Sequence, residues 1–167
     1  ITANVPSYVP YLAEISGLSC TKAGNGGGQI SRNGTIYNNI MNRDFSNFDL
    51  ITLEGFVNDW YGNAPMGEIG DTTTDTFLGS LYNALVHIKE SNPNATLVLI
   101  TDHHTRKTSS FPNFDIFSKN TEGLTQQDYR DATTELCNFL GIPVIHAGEK
   151  CGMSYLTPDY YLDQIHH

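Results

Sequence analysis

The chain has 167 residues, 39% of them hydrophobic, which is typical of one globular domain with a core of its own. Its formal charge is −9, from 9 Lys and Arg against 18 Asp and Glu. This balance argues against nucleic acid or an anionic membrane surface as partner, because both require a basic surface. No apolar run approaches the ~20 residues that a membrane span needs, so we expect no transmembrane segment. The three cysteines lie far apart without a Cys-x-x-Cys pair, which disfavours a zinc ribbon or a redox motif.

Helical and strand-like segments alternate along the sequence. A short helix is predicted first, with Pro10 in its first turn and Gly17 at its end. Short apolar runs bounded by turn-forming residues predict strands over residues 18–23, 49–53, 95–100 and 142–145. Longer helices separate the last three strands. This alternation predicts a parallel sheet with helices on both faces, in a single three-layer α/β/α domain over residues 1–167.

The two long helices each have an apolar face. In the first, over residues 75–91, the inward residues at helical spacing are Phe77, Leu78, Leu81, Leu85 and Ile88. The second begins with a pattern that resembles a capping box, Thr125 followed by Asp128, and ends at Gly141. Its predicted inward residues are Tyr129, Ala132, Leu136, Phe139 and Leu140, and Cys137 is also predicted to be in the core.

A glycine-rich loop follows the predicted strand over residues 18–23. Four of the five residues from Gly24 to Gly28 are glycine, which no regular element tolerates at reasonable entropic cost. Such a loop is either a flexible surface turn or a place where backbone N–H groups point at an anion or a developing oxyanion.

Asn58, Asp59 and Trp60 follow the apolar strand predicted over residues 49–53. In open α/β sheets ligands bind beyond the carboxyl ends of the strands, so we predict that this segment lines the site and that Asp59 and Trp60 contact substrate. The alternative is that Asn58 and Asp59 only form a turn while Trp60 covers the core.

His103 and His104 follow Asp102 at the end of the next predicted strand. Consecutive side chains diverge at a strand end, so we predict that the two histidines do not share a metal ion. A role in the substrate pocket is predicted instead, with His103 as a substrate contact.

The C-terminal segment contains Asp163 and His166, three residues apart. A carboxylate against one imidazole nitrogen fixes the tautomer and leaves the other nitrogen free to accept a proton from a hydroxyl nucleophile. The alternative is a helix cap at Asp163 and a histidine at a frayed surface. An Asp-x-x-His pattern alone favours that alternative.

Together, the glycine loop, the Asn-Asp pair and Asp-x-x-His resemble three of the four sequence blocks of SGNH hydrolases, the GDSL-type esterases and lipases. The resemblance implies a flavodoxin-like three-layer fold. It implies that the Gly27 amide and the Asn58 side chain form an oxyanion hole, with the Asn58 block one residue longer than the usual Gly-x-Asn-Asp. It also implies that Asp163 and His166 are catalytic, with Asp163 orienting His166.

The fourth block of that family, Gly-Asp-Ser at the end of the first strand, has no match in the sequence. Residues 1–4, which read Ile-Thr-Ala-Asn, resemble the continuation of this block after its serine. We therefore expect that the chain starts just after the nucleophilic serine and lacks the first strand of the family's sheet.

The function that the resemblance implies is ester hydrolysis by a Ser-His-Asp mechanism, which requires no metal and no cofactor. Acidic charge and the abundance of Asn and Tyr favour a small acyl ester, such as the acetyl ester of a carbohydrate, over a long-chain lipid. The expected partner is a small-molecule or glycan ester, in an extracellular or virion-associated setting. The sequence does not indicate an oligomeric state.

Two other functions remain open. A non-catalytic glycan-binding module on the same fold, within a larger secreted or phage tail protein, agrees with the unmatched serine block but not with the retained Asn58, Asp163 and His166. A flavodoxin-like binder could use the glycine loop for phosphate, with Lys22 and Arg32 nearby. The sequence has no Walker or dinucleotide spacing to support it.

Overall fold

The computed structural model describes residues 8–107, 109, 112–152 and 154–156. Short and long helices alternate with three strands. The helices are α1 (Tyr8–Ser16), α2 (Thr35–Met41), α3 (Val57–Tyr61), α4 (Phe77–Ser91), α5 (Gln126–Leu140) and α6 (Ala147–Lys150). The strands are β1 (Leu50–Gly55), β2 (Thr96–Thr101) and β3 (Val144–His146).

The three strands form one parallel sheet in the order β1-β2-β3. Pairing runs from Leu50 opposite Thr96 to Gly55 opposite Thr101, and β3 joins with His146 opposite Thr101. Parallel neighbours need a crossover connection, and α4 and α5 supply the two that this sheet requires. The predicted α/β class, a parallel sheet flanked by helices in the flavodoxin-like manner, is confirmed.

One face of the sheet packs into the hydrophobic core. Leu97 and Leu99 of β2 are buried there, together with the inward residues of α4 and α5. All five core positions predicted for α4 are buried. On α5, Tyr129, Leu136 and Cys137 are buried as predicted, but the prediction for Phe139 is wrong because its side chain is 67% exposed.

The two termini of α5 follow the sequence pattern closely. Thr125 accepts a hydrogen bond from the Asp128 backbone N–H, and the Asp128 carboxylate accepts one from the Thr125 backbone N–H. This is a reciprocal capping box. At the other end Gly141 adopts a left-handed conformation (φ 70°), which glycine reaches without the steric cost of a side chain.

Residues 18–23, predicted as a strand, have no regular structure. A strand exists only through pairing, and within the described residues β1 pairs with β2 alone. Residues 18–23 do not pair with the free outer edge of β1 and so do not form a strand. Helix α1 is correspondingly uncovered: it has no buried residue, and Ile15 is 86% exposed. Among the described helices, none is long and apolar enough to cross a membrane.

Candidate active site

The parallel register places the carboxyl ends of all three strands at one level. Gly55, Thr101 and His146 lie side by side across the sheet. The segments that follow them carry the polar residues singled out in the sequence, along with residues that the sequence did not indicate. This edge is where open α/β sheets bind ligands.

A sharp turn between β1 and α3 places Asn58. Gly55 has φ 136° and Phe56 has φ 89°, so the chain passes through two residues with positive φ before the helix begins. A left-handed conformation is costly for a bulky residue, and burial of the Phe56 ring against Phe77, at 5.5 Å between ring centroids, helps to hold it. Asn58 is then the second residue of α3, partly exposed, and its side chain makes no hydrogen bond to any described residue.

The glycine loop is ordered as a tight turn. The Gly28 amide donates to the Asn25 carbonyl at 3.3 Å, and Gly28 is buried where a Cβ would press on Ile36. Gly27 lies exposed at the tip with φ 73°, a conformation that favours glycine. Its amide has no acceptor among the described residues. The structure therefore leaves this N–H group unpaired at the surface.

Hydrogen bonds join the glycine loop to the turn that carries Asn58. The Asp59 carboxylate is fully buried and accepts from the backbone N–H groups of Ile30 and Ser31 and from the Ser31 hydroxyl. The Gln29 amide donates to the Asn58 carbonyl at 2.7 Å. Burial raises the pKa of Asp59, while the bonds from Ser31 and Ile30 oppose that rise. The burial of Asp59 favours a structural role, in which the carboxylate holds the loop in place. It agrees less well with the substrate contact expected from the sequence.

Trp60 and His103 are also largely buried. The Trp60 indole N–H donates to the Leu124 carbonyl at 3.1 Å, and its ring packs on Phe114 at 5.2 Å between centroids. His103 is 8% exposed. Substrate contact by these two residues stays a prediction, and the packing of Trp60 agrees better with the core-covering role.

Gln126, at the start of α5, holds the loop after β2. Its side-chain N–H₂ donates to Asp102 at 2.5 Å and to the His103 carbonyl at 2.9 Å. Its side-chain oxygen accepts from the backbone N–H and the hydroxyl of Thr105. The residue is fully buried and both polar groups of its side chain are engaged. No pattern in the sequence indicated this role.

A buried arginine lies beside this loop. Arg130 is 1% exposed in its side chain and donates to Glu149 of α6 at 2.6 Å. Gln126, Arg130, Thr133 and Cys137 are spaced by four, three and four residues, and all are buried on α5. This spacing places the three polar residues on the same helical face as Cys137, which was predicted to be in the core. It is the sequence signal that could have indicated their burial.

His104 faces Glu149, and among the described residues only its Nδ1 has a hydrogen-bond partner. Its Nδ1 accepts the Tyr155 backbone N–H at 3.2 Å, so the neutral ring carries its proton on Nε2. Nε2 lies 3.5 Å from the Glu149 carboxylate, too far for a good hydrogen bond. Burial and the charge of Arg130 lower the pKa of His104, against the effect of Glu149. Because the Nδ1 lone pair is engaged and Nε2 carries the proton, His104 is poorly arranged to act as a general base.

Asp163 and His166 lie outside the described residues, so their predicted approach to Asn58 and Gly27 stays a prediction. Among the residues that the structure describes, no group of three or more His, Cys, Asp or Glu is placed to hold a metal ion. A shallow groove of about 450 Å³ lies between the ends of α4 and α5 and the start of β2, lined by residues that include Leu85, Thr96 and Pro143. This groove is at the opposite end of β2 from the candidate site.

The described elements define an α/β protein whose parallel sheet is flanked by helices, with the candidate site at the carboxyl ends of its strands. Solved structures share this architecture. One, 27% identical to this chain, superposes with a TM-score of 0.85 over 96% of it and 77% of its own chain. A Lactobacillus plantarum protein is 24% identical, with a TM-score of 0.83 over 99% of this chain and 82% of its own.

A third structure is described as "a possible lipase" from Chitinophaga pinensis. It is 23% identical, with a TM-score of 0.76 over 90% of this chain and 61% of its own. At this level of identity the likeness shows the fold. No protein-family model and no curated protein matches the sequence.

Proposed function

We propose that this chain is the greater part of an SGNH-type ester hydrolase that acts on a small acyl ester. The Asn58 amide and the Gly27 backbone N–H bind the oxyanion of the tetrahedral intermediate. His166, oriented by Asp163, accepts the proton of a serine nucleophile and returns it to the leaving alcohol. The resemblance implies that this serine precedes Ile1.

The observation that carries the proposal is the contact between the two segments that contain the proposed oxyanion donors, Asn58 and Gly27. These segments are about thirty residues apart in sequence, and buried hydrogen bonds from Ile30 and Ser31 to Asp59 hold them together near the carboxyl ends of the strands. Each offers a donor without a partner among the described residues: the Asn58 amide and the Gly27 N–H. Likeness to the Chitinophaga pinensis protein, described as a possible lipase, supports the same class.

Tyr61 supports a carbohydrate as the alcohol part of the ester. It lies three residues after Asn58 on α3 and therefore on the same helical face. Its ring is 55% exposed and is braced edge-on by Phe114 at 4.9 Å between centroids. A rigid, half-exposed aromatic ring beside the reacting group suits the apolar face of a sugar. We expect Tyr61→Ala to raise KM for acetylated xylan several-fold and to leave hydrolysis of p-nitrophenyl acetate unchanged.

The test uses the chain extended upstream through a Gly-Asp-Ser strand, assayed on p-nitrophenyl acetate and acetylated xylan. Asn58→Ala should lower kcat by about 100- to 1000-fold, the usual effect of losing one oxyanion donor. His166→Ala should abolish nearly all turnover. Asn39→Ala, which removes an exposed amide on α2, is the matched control and should keep full activity.

Full activity in the unextended chain would place the nucleophile within residues 1–167 and contradict the mechanism. Glycan binding without hydrolysis by the extended chain would favour the non-catalytic module instead.

A further inference from the structure

The buried carboxylate of Asp59 accepts hydrogen bonds from Ile30 and Ser31, directly after the glycine loop. The Ser31 backbone N–H and hydroxyl donate to Oδ1 at 2.9 and 2.5 Å. The Ile30 backbone N–H lies 3.2 and 3.1 Å from the two oxygens. Asp59, Ile30 and Ser31 all have 0% exposure. The carboxyl group of Asp59 offers an acceptor oxygen at each end, whereas an asparagine amide would place an N–H₂ group at one of them.

Neighbouring residues extend this contact on both sides. Gln29 donates to the Asn58 carbonyl at 2.7 Å, and the Arg32 guanidinium donates to the carbonyls of Gly62 and Asn63 at 3.1 and 2.8 Å. A Cβ at Gly62 would overlap the end of the Gln29 side chain, so glycine there leaves room for the bond from Gln29 to Asn58. Each of residues 29–32 thus donates a hydrogen bond to Asn58, Asp59, Gly62 or Asn63, and we name this set of bonds the loop–turn contact.

The loop–turn contact joins the two segments that supply the proposed oxyanion donors. Gly27 lies three residues before Ile30, and Asn58 is the residue immediately before Asp59. Neither donor belongs to a long regular element: Gly27 is at the tip of a loop, and Asn58 is in a five-residue helix. Their relative position is therefore set mainly by the contact between the segments.

We infer that Asp59 is the positioning residue of the oxyanion hole: its carboxylate fixes the glycine loop against the turn, so that the Gly27 and Asn58 donors converge on one oxygen. The inference rests on the proposed ester hydrolysis and adds to it a residue that never touches substrate. A donor displaced by about 1 Å can cost about 100-fold in rate, so a structural contact of this kind controls kcat.

The test compares Asp59→Asn, Asn58→Ala and the double variant in the upstream-extended chain. In Asp59→Asn, the side-chain N–H₂ group faces the backbone N–H of Ile30 or Ser31, and two donors cannot form a hydrogen bond. The glycine loop then loses its fixed position relative to Asn58. We expect kcat on p-nitrophenyl acetate to fall by about 100-fold, with little change in KM. The kcat of the double variant should be within about threefold of the kcat of Asn58→Ala, because both substitutions impair the same oxyanion hole.

Thr133→Val is the control for loss of stability alone. Thr133 is buried on α5, and its hydroxyl donates to the Tyr129 carbonyl at 2.8 Å, away from the loop–turn contact. It should lower Tm and leave kcat unchanged. Amide hydrogen exchange adds a direct readout: Ile30 and Ser31 should exchange faster in Asp59→Asn, while the amides of β2 keep their protection.

Losses that multiply in the double variant, or unchanged exchange at Ile30 and Ser31, would overturn the inference and leave the proposed hydrolysis standing. If the upstream-extended wild type has no esterase activity, the proposed hydrolysis itself is overturned. The inferred role of Asp59 in positioning the oxyanion hole is then overturned with it.

Discussion

At the scale of single residues, the carboxyl edge of the sheet combines buried charge with few exposed polar groups. Asp102 is buried beside Gln126 and near the buried Arg130. Burial raises the pKa of Asp102 to about 7, although the hydrogen bond from Gln126 and the charge of Arg130 lower it. Such pKa shifts occur at functional sites, but they also occur in structural networks. Here Gln126 and Arg130, the partners of Asp102, hold the segments after the strands in place.

The raised pKa of Asp102 predicts a pH-dependent stability. An unfolded Asp titrates near about 3.9. Between that value and about 7 the folded chain binds more protons than the unfolded chain, so this group makes the free energy of unfolding fall as pH rises. Asp102→Asn cannot titrate and should flatten that decline. Urea unfolding at several pH values from 4.5 to 8 gives the free energy of unfolding of the wild type and of the variant. The difference between them at each pH measures the contribution of Asp102.

His104 and Glu149 have lowered pKa values, so each makes stability rise with pH and opposes Asp102. Both groups are present in the wild type and in Asp102→Asn, and their effects cancel in the difference. If the free energies of unfolding of the two proteins change in parallel with pH, Asp102 is already ionised in the folded chain at low pH. That result would contradict the prediction.

At the scale of elements, the stability of α5 matters to the site because Gln126 and Arg130 hold the strand-end loops from it. Thr125→Ala removes the hydroxyl that caps this helix and should lower the free energy of unfolding by about 1 kcal/mol. Thr121→Ala, at an exposed position in the preceding loop, is the matched control and should change it little. Equal effects of both substitutions on urea unfolding would contradict the assigned role of the cap.

Local signals in the sequence predicted the long helices, both ends of α5 and the three paired strands, because these depend on spacing and on turn residues. The strand over residues 18–23 was predicted wrongly because pairing is a tertiary property that an apolar run cannot supply by itself. The place of Asn58 at a strand end followed from the pattern. The burial of Asp59 did not, because its donors Ile30 and Ser31 lie far away in sequence, and an Asn-Asp pair looks the same in a turn as in a buried contact.

At the scale of the whole molecule, apolar surface is concentrated near the outer edge of β1. On and after α1, Tyr11, Ile15 and Leu18 are 57%, 86% and 51% exposed. The Tyr8 hydroxyl lies 2.7 Å from the Thr52 hydroxyl, so α1 begins beside β1. Among the described residues, the outer edge of β1 has no partner strand. An unpaired edge next to exposed apolar side chains favours association with other chains.

We therefore expect residues 1–167 expressed alone to self-associate. Light scattering coupled to size-exclusion chromatography should show oligomers, and the double variant Tyr11→Ser and Ile15→Ser should shift them toward monomer. Phe139→Ser, at a side chain of similar exposure on α5, should have no such effect. A monodisperse monomer of the unsubstituted chain would show that this surface is covered or inert.

The measurement that tests the central claim most directly is covalent labelling with a fluorophosphonate, read by intact and peptide mass. Such reagents phosphonylate a serine that a nearby histidine activates beside an oxyanion hole. The upstream-extended chain should gain one adduct, on the serine of Gly-Asp-Ser, and His166→Ala should gain almost none. The absence of any adduct, or an adduct on a serine within residues 1–167, would contradict the account.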